Sequence, residues 1–398
     1  MISCRLLSDA RCAVTMTSTM AIDFNSSSSS TSNLTADFIN KYTESELYER
    51  FKPAISTVDK YVTPFWYVIG FPGNILAFVV WIRRRMRHSS GCYLAALAIA
   101  DFLFLILQLL YELQNSWDVR ILEVNVICQL FPILFYALQY LSPLLVLGFT
   151  VERHISICHP FQRERFCTTS RAVKVTAGLV LFSLSLHLIQ GYFWVFNPEH
   201  GACMPRPSVM QGGERSLWSI WSWITELLVF GFVPVVTLVL NVFVIREAKK
   251  LSDSEEKRLC LKKKSKSSAP SATTVMLLAV SFYLIFTTLP VTICYVMYLT
   301  FPPGSWEITE REFVADPVWR RHLRFHAARM IIQELCMSHY ACNIIIYIIT
   351  GKQFRSELRQ LLFSGRRMTS RWNNDFSNVQ TKDNNLTTDT SNGAMTHV

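Results

Sequence analysis

The chain has 398 residues and a formal net charge of +10; 51% of its residues are hydrophobic and only 17% are charged. A soluble globular chain carries about a quarter charged residues, so the composition excludes an ordinary soluble domain. The apolar residues come in blocks, and about 20 of them cross a bilayer at roughly 1.5 Å of rise per helical residue.

In chain order, residues 1–56 read as an extracellular tail. It holds the low-complexity run Ser26–Ser30, which will not pack, and glycosylation sequons at Asn25 and Asn33. No uninterrupted apolar core precedes Asp23, so the first span is expected to serve as the signal anchor. Seven apolar stretches follow: Tyr61–Ile82, Gly91–Leu113, Asn125–Ile157, Ala172–Phe196, Leu217–Ile245, Ala272–Leu299 and Phe325–Thr350. The first carries no charge, whereas Arg329 and Glu334 interrupt the last. The fold class is therefore all-α, a seven-transmembrane helix bundle over residues 57–351. Residues 352–363 are basic and amphipathic, with Phe354, Leu358, Leu361 and Leu362 on one face. They predict a short eighth helix on the inner leaflet. Residues 364–398 are rich in Ser, Thr and Asn and read as a disordered cytoplasmic tail.

The positive charge is placed, not spread. Arg83, Arg84, Arg85 and Arg87 follow span one; Arg163, Arg165, Arg171 and Lys174 surround the link between spans three and four. Lys249, Lys250, Lys257, Arg258, Lys262, Lys263, Lys264 and Lys266 lie between spans five and six, and Lys352, Arg355, Arg359, Arg366 and Arg367 follow span seven. These are alternate connections, so the positive-inside rule makes that side cytoplasmic, with the N-terminus outside. Clusters flanked by spans argue against nucleic acid as the partner of this basic chain. Most of the 11 cysteines fall in spans or on the reducing side. Cys128 and Cys203 are both expected outside; Cys4 and Cys12 are left open as a pair or as free thiols.

The stretch Thr150–Phe161 ends span three with Glu152, Arg153 and His154. An acid and an arginine at a membrane edge are costly unless each is satisfied and faces protein or water. Together with Cys128 at the start of the same span, this stretch resembles the third helix of rhodopsin-family (class A) G-protein-coupled receptors, where an Asp/Glu-Arg-Tyr triplet stands. Gly73-Asn74, Leu97 with Asp101, Pro234, Pro290 and the pair Asn343 and Tyr347 match other landmarks of that family. The resemblance covers roughly residues 60 to 363. It implies a disulfide between Cys128 and Cys203, and a switch made of Glu152, Arg153, His154, Asn343 and Tyr347. In that switch Arg153 pairs with Glu152 at rest and then swings to admit a heterotrimeric G protein. It also implies a polar network of Asn74, Asp101, Ser142, His339 and Asn343 that holds an allosteric sodium ion; a hydrogen-bond network without sodium is the alternative. No other cofactor or metal is expected. The sequence departs from the family at His154, Val242, Thr288 and Ile344.

The ligand class is read from absences as well. The family's amine receptors carry an aspartate seven residues after the span-three cysteine, where this chain has Phe135, and no lysine lies between Phe325 and Thr350 for a retinal. Lipid, nucleotide-like and peptide ligands remain. The expected pocket holds Glu112, Glu226 and Glu334 with Phe135, Tyr136, Gln139, Tyr140, Trp223, Tyr295, Arg329 and Gln333; Tyr192 is a further aromatic candidate. Acids between aromatic walls suit a peptide with an arginine and an amidated aromatic end. The bland alternatives are acids paired with Arg329 or with each other, and aromatics that are ordinary helix packing. Asn343–Tyr347 with Gly351–Arg355, Cys167–Ala172, and Pro234 with Leu240-Asn241 resemble invertebrate FMRFamide-type neuropeptide receptors. A peptide-binding, G-protein-coupling, plasma-membrane receptor is thus the expectation, and not an enzyme. A receptor for a non-peptide small molecule is the alternative, and a transporter or channel a more distant one, because no internal repeat is visible. Thr396 and Val398 fit a PDZ ligand, and Ser370, Ser377, Thr387, Thr388, Thr390 and Ser391 are candidate phosphosites for arrestin.

Overall fold

The structure is a computed structural model, which describes residues 50–51, 53–117, 119–198, 201–259, 272–305 and 308–363. The sequons at Asn25 and Asn33, Cys4 and Cys12, the tail phosphosites, and Thr396 and Val398 lie outside the described residues.

Seven helices are long and apolar enough to cross a membrane. Span one is Pro53–Trp81, span two Ser89–Trp117, span three Asn125–Cys158 and span four Thr169–His187. Span five runs from Leu217 to Leu259, span six is Ala272–Met297 and span seven Pro317–Thr350. Residues 352–363 form the eighth helix. Every backbone N–H and C=O in a bilayer must find its partner within the protein, which is why the apolar blocks fold as helices.

Several boundaries differ from the sequence reading, and two of them have a clear local cause. Span four stops at His187, not Phe196; after one short turn, Trp194–Asn197 is strand β1, paired antiparallel with β2, Ala202–Pro205. Hydropathy cannot separate a buried apolar strand from the end of an apolar helix. Span seven begins at Pro317, eight residues before Phe325. The Asp316 carboxylate accepts from the Val318 N–H at 2.8 Å, and proline occupies the first turn, a start signal that hydropathy overlooked beneath Arg320, Arg321 and Arg324. Span five is not uniform: Leu227–Phe232 is a π-helical segment.

The core has three buried clusters along the bundle axis. The cytoplasmic one joins Trp81, Leu94, Phe149, Tyr347 and Phe354; Trp81 meets Tyr347 and Phe354, each with ring centroids 5.5 Å away. This seats the eighth helix against spans one and seven. Buried Glu357 then takes Arg83 and Arg85 of the first inner loop, each at 3.5 Å. The middle cluster is aromatic, with Phe104 4.1 Å from Tyr340 and 5.3 Å from Phe135. The outer one packs Phe193, Trp194 and Trp218 around Cys128. Spans one, two and seven pack closely at Gly70, where an added Cβ would lie 2.4 Å from Leu105 Cδ1 and 3.2 Å from the Ala341 Cα.

Candidate functional site

The outer loop is fixed first. In the hairpin register Phe196 stands opposite Cys203, and Cys203 is bonded to Cys128 at the top of span three. The hairpin is thereby tied to span three across 75 residues of sequence.

At the cytoplasmic end, Glu152 is buried and accepts hydrogen bonds from Ser89 and from Ser90 Oγ, the latter at 3.0 Å. Arg153 Nη2 donates to the same Ser90 hydroxyl. Among the described residues the two charges form no direct ion pair, so the expected Glu152–Arg153 contact is corrected. Neighbours on a helix point about 100° apart, and Ser90 of span two bridges them. His154 meets His159 and Phe243 edge-on, with ring centroids 5.7 and 6.0 Å away. It lines a cavity of about 490 Å³ with Cys158, Phe243, Arg246 and Lys250. Two titrating groups flank the switch outside the spans. Burial, and then Arg153, holds His88 below the usual histidine pKa. Burial, and then Glu152, pushes the Cys167 thiol up.

Mid-bundle, Asn343 Nδ2 donates to Asp101 Oδ2 at 2.8 Å. Asp101 Oδ1, Ser142 Oγ and His339 Nε2 are buried without a hydrogen-bond partner, while His339 Nδ1 lies 2.6 Å from the Cys336 carbonyl. Asn74 is displaced from this network: its Nδ2 donates to the Tyr340 carbonyl at 2.9 Å, tying span one to span seven. Tyr347 is buried by its ring contacts with Trp81 and Phe354, and its hydroxyl has no hydrogen-bond partner. Asn343 thus belongs to the Asp101 network, apart from Arg153.

Towards the outer face, each of the three acids has its own neighbours. Glu112 accepts from Gln108 Nε2 at 3.1 Å and Ser116 Oγ at 2.7 Å, both on its own helix. Glu334 accepts from Thr63 Oγ1 at 3.0 Å and Trp66 Nε1 at 3.2 Å, so it faces span one. Glu226 is buried beside Tyr140, at the turn before the π-helical segment. Trp223 packs on Tyr295 at 4.4 Å. Phe135 sits among Phe104, Tyr111 and Phe131, the packing alternative. Gln139 is fully buried, and both atoms of its amide lack a partner. Gln333 is buried on span seven. Tyr192 lies outside, exposed beneath the Arg206 guanidinium. Arg329 is buried, but among the described residues it pairs with none of the acids; its Nη2 reaches His326 Nδ1 at 3.0 Å.

Sequence reasoning missed three participants. Ser90 was an ordinary serine until the fold set it between Glu152 and Arg153. His187 packs on Tyr140 at 4.5 Å and stacks on Tyr136 at 6.1 Å. Pro143, inside span three, leaves the Gln139 carbonyl without its helical donor, and Tyr340 Oη of span seven donates to that carbonyl at 3.1 Å.

Comparison with known proteins fits this geometry. The family model described as the 7 transmembrane receptor (rhodopsin family) matches residues 73–347. The chain is 33% identical over 137 residues to the thyrotropin-releasing hormone receptor of Gallus gallus, a match that covers 32% of each chain. The chain therefore spans only about a third of that relative. It is 25% identical over 321 residues to the FMRFamide receptor of Drosophila melanogaster, covering 76% of this chain and 53% of that one. It is also 25% identical over 320 residues to the growth hormone secretagogue receptor type 1 of Sus scrofa, covering 76% and 81%. With its seven spans, its bridged outer loop and a match across most of its length, the chain belongs to the rhodopsin family of seven-transmembrane receptors, a family of signalling proteins and not of enzymes.

Proposed function

We propose that this multi-pass plasma-membrane protein binds an extracellular neuropeptide and, in response, activates a heterotrimeric G protein. The family match carries the receptor reading; relatives named for thyrotropin-releasing hormone and FMRFamide support a peptide. The basic inner connections support an extracellular N-terminus and a cytoplasmic C-terminus. An arginine-bearing amide remains the finer reading. Glu112, Glu226 and Glu334 are the candidate partners of its arginine.

The receptor works by shifting populations, in proportion to the ligand's differential affinity for two states. At rest Ser90 holds Arg153; in the coupled state Arg153 leaves Ser90 and meets the G protein. Asp101 Oδ1 and Ser142 Oγ are hard oxygens of the kind sodium takes, and they would hold that ion, which would supply a positive charge to a buried carboxylate. His339 offers nitrogen and is the poorer ligand. Arrestin and PDZ contacts through the tail belong to the same proposal.

The test is to express the chain with a promiscuous G protein and screen amidated neuropeptides by calcium release. A response in wild type, lost in Arg153→Ala with peptide binding retained, is expected. Coupling that survives Arg153→Ala sinks the switch. Silence across the panel with surface expression confirmed sinks the amidated-peptide reading.

A further inference from the structure

The outer two turns of span seven are basic on the face of the membrane where positive charge is not expected. Arg320, Arg321 and Arg324 are exposed there, and buried Arg329 follows inward on the same helix. The acids near these turns are engaged elsewhere. Asp316 caps the helix through the Val318 N–H, Glu310 pairs with Arg50 at 3.1 Å, and Glu312 closes a capping box with Thr309. Among the described residues none of the four arginines is in an ion pair.

Arg329 is the exceptional one. It is 2% exposed, and its Nε and Nη1 donors have no partner. Its Nη2 contacts His326 Nδ1; a guanidinium only donates, so His326 must accept there and brings no negative charge. The guanidinium also lies over the Tyr298 ring, 5.4 Å from its centroid, just past span six. A buried cation left with unused donors is costly, and the cost is removed by an anionic acceptor. Arginine is the side chain best suited to a carboxylate. The exposed arginines above it would raise the local concentration of an anionic ligand and steer it inward.

We infer that Arg329 is the subsite for a carboxylate of the ligand, so that the natural peptide is acidic at this point: a glutamate or aspartate side chain, or a free C-terminus. This deepens the peptide-receptor reading and rests on it.

The experiment uses the full chain in cells and a synthetic library of short peptides in matched pairs, each pair differing only by Glu against Gln or by a free carboxylate against a carboxamide. For the pair that activates wild type, the acidic member should have an EC50 at least about tenfold lower, the scale of a charge-assisted hydrogen bond. Arg329→Gln should erase that difference by costing the acidic member more than the neutral one, while Arg329→Lys keeps part of it. Equal potency of the two members on wild type, or an equal loss for both in Arg329→Gln, overturns the inference while the peptide reading stands. Should Arg329→Gln fail to reach the surface, the wild-type comparison and Arg329→Lys decide. Silence of wild type towards every member overturns the peptide reading and this inference with it.

Discussion

Tyr340→Phe isolates a hydrogen bond that exists because of a proline. Pro143 has no N–H to offer the Gln139 carbonyl one turn before it, and the Tyr340 hydroxyl takes that place at 3.1 Å. Deleting the hydroxyl leaves a buried carbonyl without a donor, about 1–3 kcal/mol in general. Interhelical hydrogen bonds in membranes measure lower, about 0.6 kcal/mol on average and up to about 1.7. A cost near 1 kcal/mol is therefore expected, or roughly 2–4 °C in apparent Tm. The assay is thermal unfolding of purified receptor in detergent, followed with a thiol-reactive dye. The control is the double mutant. Pro143→Ala restores an N–H to the Gln139 carbonyl within span three, so Tyr340→Phe should cost much less in that background. A cycle isolates this coupling. Equal costs in both backgrounds would refute the reasoning, because the hydroxyl would then be acting by something other than the freed carbonyl.

Other substitutions test the inner face. Gly91→Ala would place a Cβ 2.2 Å from the Met86 carbonyl; the first inner loop must move, at a cost of about 1–3 kcal/mol. Surface expression and apparent Tm should fall, and an unchanged Tm would contradict the packing there. His88, held low chiefly by burial and then by Arg153, takes up its proton more readily unfolded than folded. Its contribution to stability is therefore complete above about pH 6.5 and is lost as the pH falls below it. The drop in apparent Tm between pH 7.5 and pH 5.5 should be smaller in His88→Gln; an identical drop removes His88 as a source of acid sensitivity.

The spans were legible because each is a long apolar block, and their sidedness because the basic residues alternate between connections. What hydropathy misplaced has a physical cause in each case. Trp194–Asn197 is apolar because it packs over Cys128 as a strand. The outer turns of span seven are helical despite Arg320 and Arg321, because Asp316 and Pro317 start the helix. The landmark residues were placed correctly on their helices, but the partners of several were not. Asn74 joins span seven and not Asp101, Glu334 turns to span one, and Glu152 and Arg153 meet through Ser90. Those partners lie about 60 to 270 residues away, and nothing in the periodicity of one helix reports which neighbour it will face.

Two interhelical hydrogen bonds to backbone carbonyls lie beside prolines, and a single helix does not reveal either. Thr292 Oγ1 of span six donates to the Phe230 carbonyl in the π-helical segment, four residues before Pro234, at 2.6 Å. Between spans three and seven, Tyr340 Oη donates to the Gln139 carbonyl, which Pro143 leaves without its helical donor. In lipid no water stands in for the N–H that Pro143 lacks, so that proline creates a demand that span seven fills. The two links differ in how easily they let go. The Thr292 hydroxyl has a second acceptor in its own helix, the Thr288 carbonyl at 3.3 Å. When span six moves away from span five, that hydroxyl need not be left without an acceptor; only the Phe230 carbonyl loses a partner. Tyr340 is fully buried among aromatic rings, and the structure gives its hydroxyl no second acceptor. The span five–six contact is thus the one built to open at low cost, and the span three–seven contact the one built to hold.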